Sequence, residues 1–161
     1  ELGNTFSGNV DQIFHWDAPS QMFVAAADYG GFWDGDFPVS TGDVLMLNSY
    51  AVVPFYSLGD LPAPATYNLV SGNNTIMVPL NKSTLAMASD LGAEMTAGSV
   101  DQIYYWDAAN QMFVAAADYG GFWDGDFAIG IAMPLMANSY AAFTWPSRAM
   151  QTAPAPSKAR N

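Results

Sequence analysis

Two glycine-rich loops hold the side chains best suited to chemistry. Asp28, Asp34 and Asp36 stand in the first, and the same three carboxylates recur 90 residues on as Asp118, Asp124 and Asp126 in the second. Flexible, oxygen-rich loops suit Ca²⁺, which takes about six to eight oxygen ligands, so these aspartates are candidate calcium ligands. Their D-x5-D-x-D spacing is not that of an EF-hand and lacks its terminal Glu, and turn or capping roles account for the same residues. Interleaved with them are Tyr29, Phe32 and Trp33, repeated as Tyr119, Phe122 and Trp123. Rings beside carboxylates can stack on sugars, which makes Tyr29, Trp33, Tyr119 and Trp123 candidate glycan-binding residues. Such rings equally fold back over a small core, where each buries about 150–250 Å².

Other reactive chemistry is sparse. His15 is the one histidine and Tyr105 takes its place in the second copy, so the position asks for a ring rather than a titrating nitrogen. The absence of cysteine rules out disulfides and thiolate metal sites. There is no G-x-S-x-G elbow, phosphate-cradling loop or histidine cluster, which closes the familiar routes to nucleophilic and zinc catalysis. Paired carboxylates can hydrolyse glycosides, but duplicated turn positions are poor candidates for it. The expectation is a protein that is not an enzyme, with no catalytic residue and no cofactor other than the calcium considered above. Asn73-Asn74-Thr75 and Asn81-Lys82-Ser83 fit a glycosylation pattern and read as turn and cap residues.

Both loops belong to a tandem duplication. QMFVAAADYGGFWDGDF occurs unchanged at 21–37 and 111–127, and across 10–37 against 100–127 only Phe14/Tyr104, His15/Tyr105, Pro19/Ala109 and Ser20/Asn110 differ. Val10 to Trp16 alternates, Asp17 to Ser20 supplies turn formers, and Gln21 to Ala27 resumes an extended run. This predicts a β-hairpin, repeated over 100–117. Extended segments are expected in 43–56, limited by Pro54, while 66–71 and 75–80 read as two strands across the Gly72-Asn73-Asn74 turn. A helix should follow, opened by Ser83 or Thr84 and ended by Gly92. The predicted fold class is mostly β: two tandem β-sandwich-like or barrel-like units with one short helix near 83–91. The expected division is a truncated first unit (1–57), a linker (58–66), a complete second unit (67–147) and an extended basic Pro/Ala tail (148–161).

The register of the duplication is uneven. LGAEMTAGSVDQI at 91–103 matches LGNTFSGNVDQI at 2–13 with one residue removed. Unit 1 therefore begins where the helix of unit 2 ends, without counterparts of the 67–80 strands and the 83–90 helix. An unpaired edge in unit 1 would be a template for another chain; alternatively, unit 1 dispenses with those elements or shares the linker strands.

The stretch from Tyr67 to Phe127, closed by MANSYAAF, resembles a repeat of about 75 residues found in secreted and surface proteins of environmental bacteria. The likeness rests on Val78-Pro79-Leu80, Trp106-Asp107 and Asp126-Phe127, and covers 67–143 and, truncated, 2–53. It implies an extracellular β module and no reaction.

Apolar residues form 51% of the 161-residue chain and charged residues 12%, against about 25% charged in an ordinary soluble domain. No apolar run reaches the roughly 18–20 residues of a membrane span. The net charge is −11, with all fifteen acids in 1–147 beside a single base, Lys82, whereas Arg148, Lys158 and Arg160 crowd the end. An acidic body repels phosphate backbones and excludes nucleic acid as a partner. The chain opens at Glu1 with neither Met nor a signal-like segment, as expected of a secreted product released from a precursor.

Ser40-Thr41-Gly42-Asp43 becomes Gly130-Ile131-Ala132-Met133 in unit 2. Burying Ile131 and Met133 against a partner would contribute about 1.5–3 kcal/mol each. Ile131, Ala132 and Met133, with Arg148, Lys158 and Arg160, are thus candidate interface residues, and packing within the same chain is the alternative. The expected role is a non-enzymatic structural subunit that associates with copies of itself, head to tail, into an extracellular filament, sheath or surface layer. The alternative is a secreted carbohydrate-binding module using the Trp/Asp loops, with or without calcium.

Overall fold

Alternating runs become strands wherever a glycine or an Asx turn lets the chain reverse. The computed structural model describes residues 6, 8–52, 66–95 and 98–146. The elements are β1 (Val10–Asp17), β2 (Met22–Asp28), β3 (Trp33–Asp34), β4 (Leu45–Ser49), β5 (Tyr67–Leu69), β6 (Gly72–Met77), α1 (Ala88–Glu94), β7 (Val100–Asp107), β8 (Met112–Asp118), β9 (Trp123–Asp124), β10 (Pro134–Ser139) and β11 (Phe143–Trp145). They form three antiparallel sheets, ordered β3-β2-β1-β4, β6-β10-β7-β8-β9 and β11-β5. No helix among the described residues is long and apolar enough to cross a membrane.

The duplication extends to register. Ile13 faces Ala26 and Leu47 across its two neighbours, and Ile103 faces Ala116 and Ala137. The expected first hairpin is present, with the turn at 18–21 and Gln21 at φ 55°. The glycine-rich loop contains a second, tighter hairpin, β2 with β3. The Tyr29 N–H donates to the Phe32 carbonyl at 2.8 Å, with Gly30 at φ 82° and Gly31 at φ 100°. Two successive positive φ angles define a type I′ turn, which explains the Gly-Gly pair.

Two expectations need correction. The segments 66–71 and 75–80 do not pair with each other: β5 pairs with β11, and β6 pairs with β10. Asn74 is the reason. Its buried amide accepts from the Val70 N–H at 2.8 Å and donates to the Val70 and Gly72 carbonyls at 2.9 Å, taking the bonds a simple hairpin would have used. The helix begins at Ala88 rather than near Ser83 and runs through Gly92. Its start is set by Asp90, whose carboxylate accepts from the Ala86 and Met87 N–H groups.

Seven residues make too short a helix to stand alone, so α1 is held by its neighbours. Ser89 donates from both N–H and hydroxyl to Asp126, and Met87 bridges Ala128. The helix buries Ala88 and Leu91, and beyond its end Met95, in a core with Ile76, Val78, Val100, Ile103 and Ala116. Among the described residues, the core cluster of unit 1 is Phe6, Val10 and Ile13, with Trp33, Phe37 and Leu45 packed against them. In the offset alignment Phe6 stands where Met95 does, and the two plug the same end of their sheets.

Gly92 belongs in the helix because Trp123 packs on it: a Cβ there would lie 2.2 Å from the indole Cζ2. Overpacking of this kind costs about 1–3 kcal/mol. Gly92→Ala should lower stability to chemical denaturation by that amount. Gly130→Ala, where a Cβ would meet nothing within 4 Å, should leave the midpoint unchanged.

Candidate functional site

A sheet edge exposes a row of N–H and C=O groups, and each edge of this protein treats them differently. β3 and β9 are two residues long and offer little to pair with. The outer edge of β6 is capped by side chains. Gln21 accepts from the Asn73 N–H at 2.7 Å and donates to the Asn73 carbonyl at 2.9 Å, so that its amide imitates a neighbouring strand. The Trp16 indole adds a bond to the same carbonyl at 2.8 Å, and the Tyr67 hydroxyl both donates to and accepts from the Met77 backbone.

Among the described residues, β4 has no such protection. Its duplicate β10 lies between β7 and β6, whereas β4 pairs with β1 and with no second strand among the described residues. Asn73 presents its backbone to Gln21 and therefore away from β10, so the alternation of an antiparallel ladder turns Asn74 and Ile76 toward Ala137 and Leu135. The equivalent residues of β4 are Leu47 and Leu45, whose N–H and C=O groups face the open side. No charged residue or proline stands between 44 and 52 to discourage pairing. The apolar face behind the edge is open as well: Val39 is 52% exposed and Leu47 39%, where their counterparts Ile129 and Ala137 are 9% and 0% exposed.

The open edge borders a cleft of about 1010 Å³. Its walls are β4 and the residues after it, Phe14 and Phe23 on one side, and Tyr104, Trp106, Gln111 and Phe113 on the other. Gln111 and Trp106 duplicate the Gln21 and Trp16 that cap β6. The two turns share one conformation: Gln21 and Gln111 have φ 55° and 53°, and each donates to the carbonyl three residues back, at 2.6 and 2.7 Å. In unit 2 the turn is tightened further by Asn110, which donates from its amide and backbone to Asp107 and holds that carboxyl below the usual carboxylate range.

The far end of β4 is anchored by the Asn-Ser-Tyr-Ala run that recurs in both units. Asn48 and Tyr50 donate to the two oxygens of Asp11, and Asn138 and Tyr140 do the same to Asp101. Ser49 and Ser139 donate to the Asn9 and Ser99 carbonyls at 3.1 Å. This clamp holds β4 in line even without a second neighbour.

The sequence-derived candidates fall as follows. Asp28 and Asp118 accept from the Gly31 and Gly121 N–H groups, Asp126 holds α1, and no three acidic or histidine side chains come together as a metal site among the described residues. Tyr29 and Tyr119 are exposed at the hairpin tips with Phe32 and Phe122, while Trp33 and Trp123 lie half-buried against the cores. His15 and Tyr105 each pack a ring on a phenylalanine, Phe37 and Phe127, at 5.4 and 4.8 Å. Met133 packs on the core of its own unit, and Ile131 remains 50% exposed beside Ala132 at φ 63°. Arg148, Lys158 and Arg160 lie outside the described residues. No family model, curated protein or solved structure matches the chain.

Gln21→Ala breaks a bridge between the two units and should cost about 1–3 kcal/mol at roughly 0.5–1.5 per bond, whereas Gln111→Ala should cost almost nothing in the dispersed chain; denaturation midpoints of the pair decide it. Hydrogen bonding to Asp11 and Asp101 raises the Tyr50 and Tyr140 phenols above their ordinary value of 10.0. A raised value means that the stabilisation is complete below pH 10 and is lost as pH climbs through the folded-state values. Wild type should thus lose stability in that alkaline window more steeply than Tyr50→Phe/Tyr140→Phe.

Proposed function

We propose that this protein is a non-enzymatic structural subunit of an extracellular assembly, built from two tandem β-sandwich-like units that associate head to tail with further copies of itself. One observation carries the reading: among the described residues β4 is an uncharged sheet edge with no second partner, backed by exposed apolar side chains, while its duplicate β10 is fully paired. Such an edge favours strand addition from another chain. Charged residues are sparse, 12% of the chain, and none falls within 44–52, so the net charge of −11 is not placed on this edge. Ile131 offers a second apolar contact away from the edge. An open, heterologous contact of this kind propagates unless rotation closes it.

A second reading, a secreted carbohydrate-binding module, is favoured by the exposed Tyr29/Phe32 and Tyr119/Phe122 pairs at the hairpin tips. These rings are available to stack on sugars in a way that the half-buried Trp33 and Trp123 are not.

Leu47→Lys places a charge on the open edge at a position that is already partly solvated. Sedimentation and negative-stain microscopy should show regular polymers for wild type and dispersed subunits for Leu47→Lys, with unchanged β circular dichroism; Ile131→Asp should shorten the polymers. Wild type that stays dispersed at high concentration and is retained on glycans supports the second reading instead.

A further inference from the structure

We infer that the cleft between β4 and Gln111 is an acceptor slot for an extended strand of the β6 type, supplied by a neighbouring polypeptide of this repeat. The inference rests on the assembly reading only in taking β4 as the open edge, and it differs in the donor, which is a polypeptide of this repeat with a β6-type segment to spare rather than an identical copy.

The duplication provides the template. In unit 2, β6 lies with one edge on β10 and the other on Gln21 and Trp16. In unit 1, β4 replaces β10, Gln111 and Trp106 replace Gln21 and Trp16, and the space between them is empty among the described residues. The duplicates of both hydrogen-bonding rims of the filled slot thus border this one cleft, which also reaches Thr75 and Pro134 to Met136. Leu45 and Leu47 would pair the inner edge of an incoming strand, and the Gln111 amide would take an N–H and a C=O on its outer edge, as Gln21 does at Asn73.

Size and chemistry agree. At about 1010 Å³ the cleft is as large as the biggest ordinary small-molecule pockets, about 300–1,000 Å³, and its long wall is a strand edge rather than a ring of convergent polar groups. Six residues of β6 span about 20 Å in extended form. Ile76, which faces Leu135 in the filled slot and is fully buried there, would have its counterpart opposite Leu45, next to exposed Val39 and Leu47. The fitting strand is thus uncharged and extended, with Asn-Thr-Ile in the register of Asn74-Thr75-Ile76. Among the described residues each chain contains one β6 and two places for it, so exchange of β6 between copies fills no additional slot. The donor must carry a β6-type segment beyond the one its own sheet consumes.

The test uses a fluorescein-labelled synthetic peptide of residues 70–79 added to the full chain under dispersing conditions, read by anisotropy. Saturable binding of one peptide per chain is expected. Gln111→Ala, which leaves the fold intact, should weaken it about tenfold through two lost hydrogen bonds. N-methylation of the peptide at the residues matching Asn74 and Ile76 should abolish binding. Absence of saturable binding to the folded chain overturns the inference, as does equal binding of the methylated peptide or no effect of Gln111→Ala. Polymers that form although the peptide is ignored overturn it in favour of direct pairing between copies and leave the assembly reading standing. Peptide uptake by a chain that never polymerises supports the slot and removes the assembly reading.

Discussion

Every antiparallel sheet must dispose of the hydrogen-bonding groups on its outermost strands, and in this protein that requirement explains more than any single residue does. Two edges are cut to two residues, and a third is capped by a glutamine amide, an indole and a phenol hydroxyl reaching in from elsewhere in the chain. The cap on β6 also joins the units, since Gln21 and Trp16 come from one half and Asn73 from the other. Protection of an edge and cohesion of the molecule are here the same set of bonds. β4 is left outside this arrangement, and the large cleft lies along it.

The two copies diverge where their surroundings differ. Val39 and Leu47 become Ile129 and Ala137 where β6 and α1 cover the sheet. Asp43 becomes Met133 because the second turn lies against β6: Ala132 donates to the Val78 carbonyl, Val78 donates to Met133, and the Met133 side chain reaches the core. In unit 1 no such neighbour lies among the described residues, and Asp43 instead closes its turn by accepting from the Ser40 N–H. The apolar corner is thus largely a consequence of local packing, with Ile131 and Ala132 left to the surface.

Much of this was legible in the residues and some was not. The strand periodicity and the repeated hairpin follow from alternation. Ring-for-ring exchange of His15 and Tyr105 correctly signalled a packing role. The pairing of β5 with β11 was hidden because it depends on Asn74 redirecting the backbone between β5 and β6 and on a partner strand far along the chain. The start of α1 was misplaced because Ser83 and Thr84 are good caps by type, yet Asp90 and the contacts with Asp126 and Ala128 decide where a marginal helix forms. Gln21 as an edge cap carried no local signal, although the recurrence of Trp16 and Gln21 as Trp106 and Gln111 pointed to a shared role.

Amide hydrogen exchange at the two equivalent strands measures the openness of β4 directly, with β10 as the internal reference. In dispersed chains, Leu45 and Leu47 amides should exchange fast while those of Leu135 and Ala137 are protected, and assembly should slow the first pair to match the second. Equal protection of the two strands in dispersed chains, or β4 amides that stay fast in the assembled material, would contradict the account.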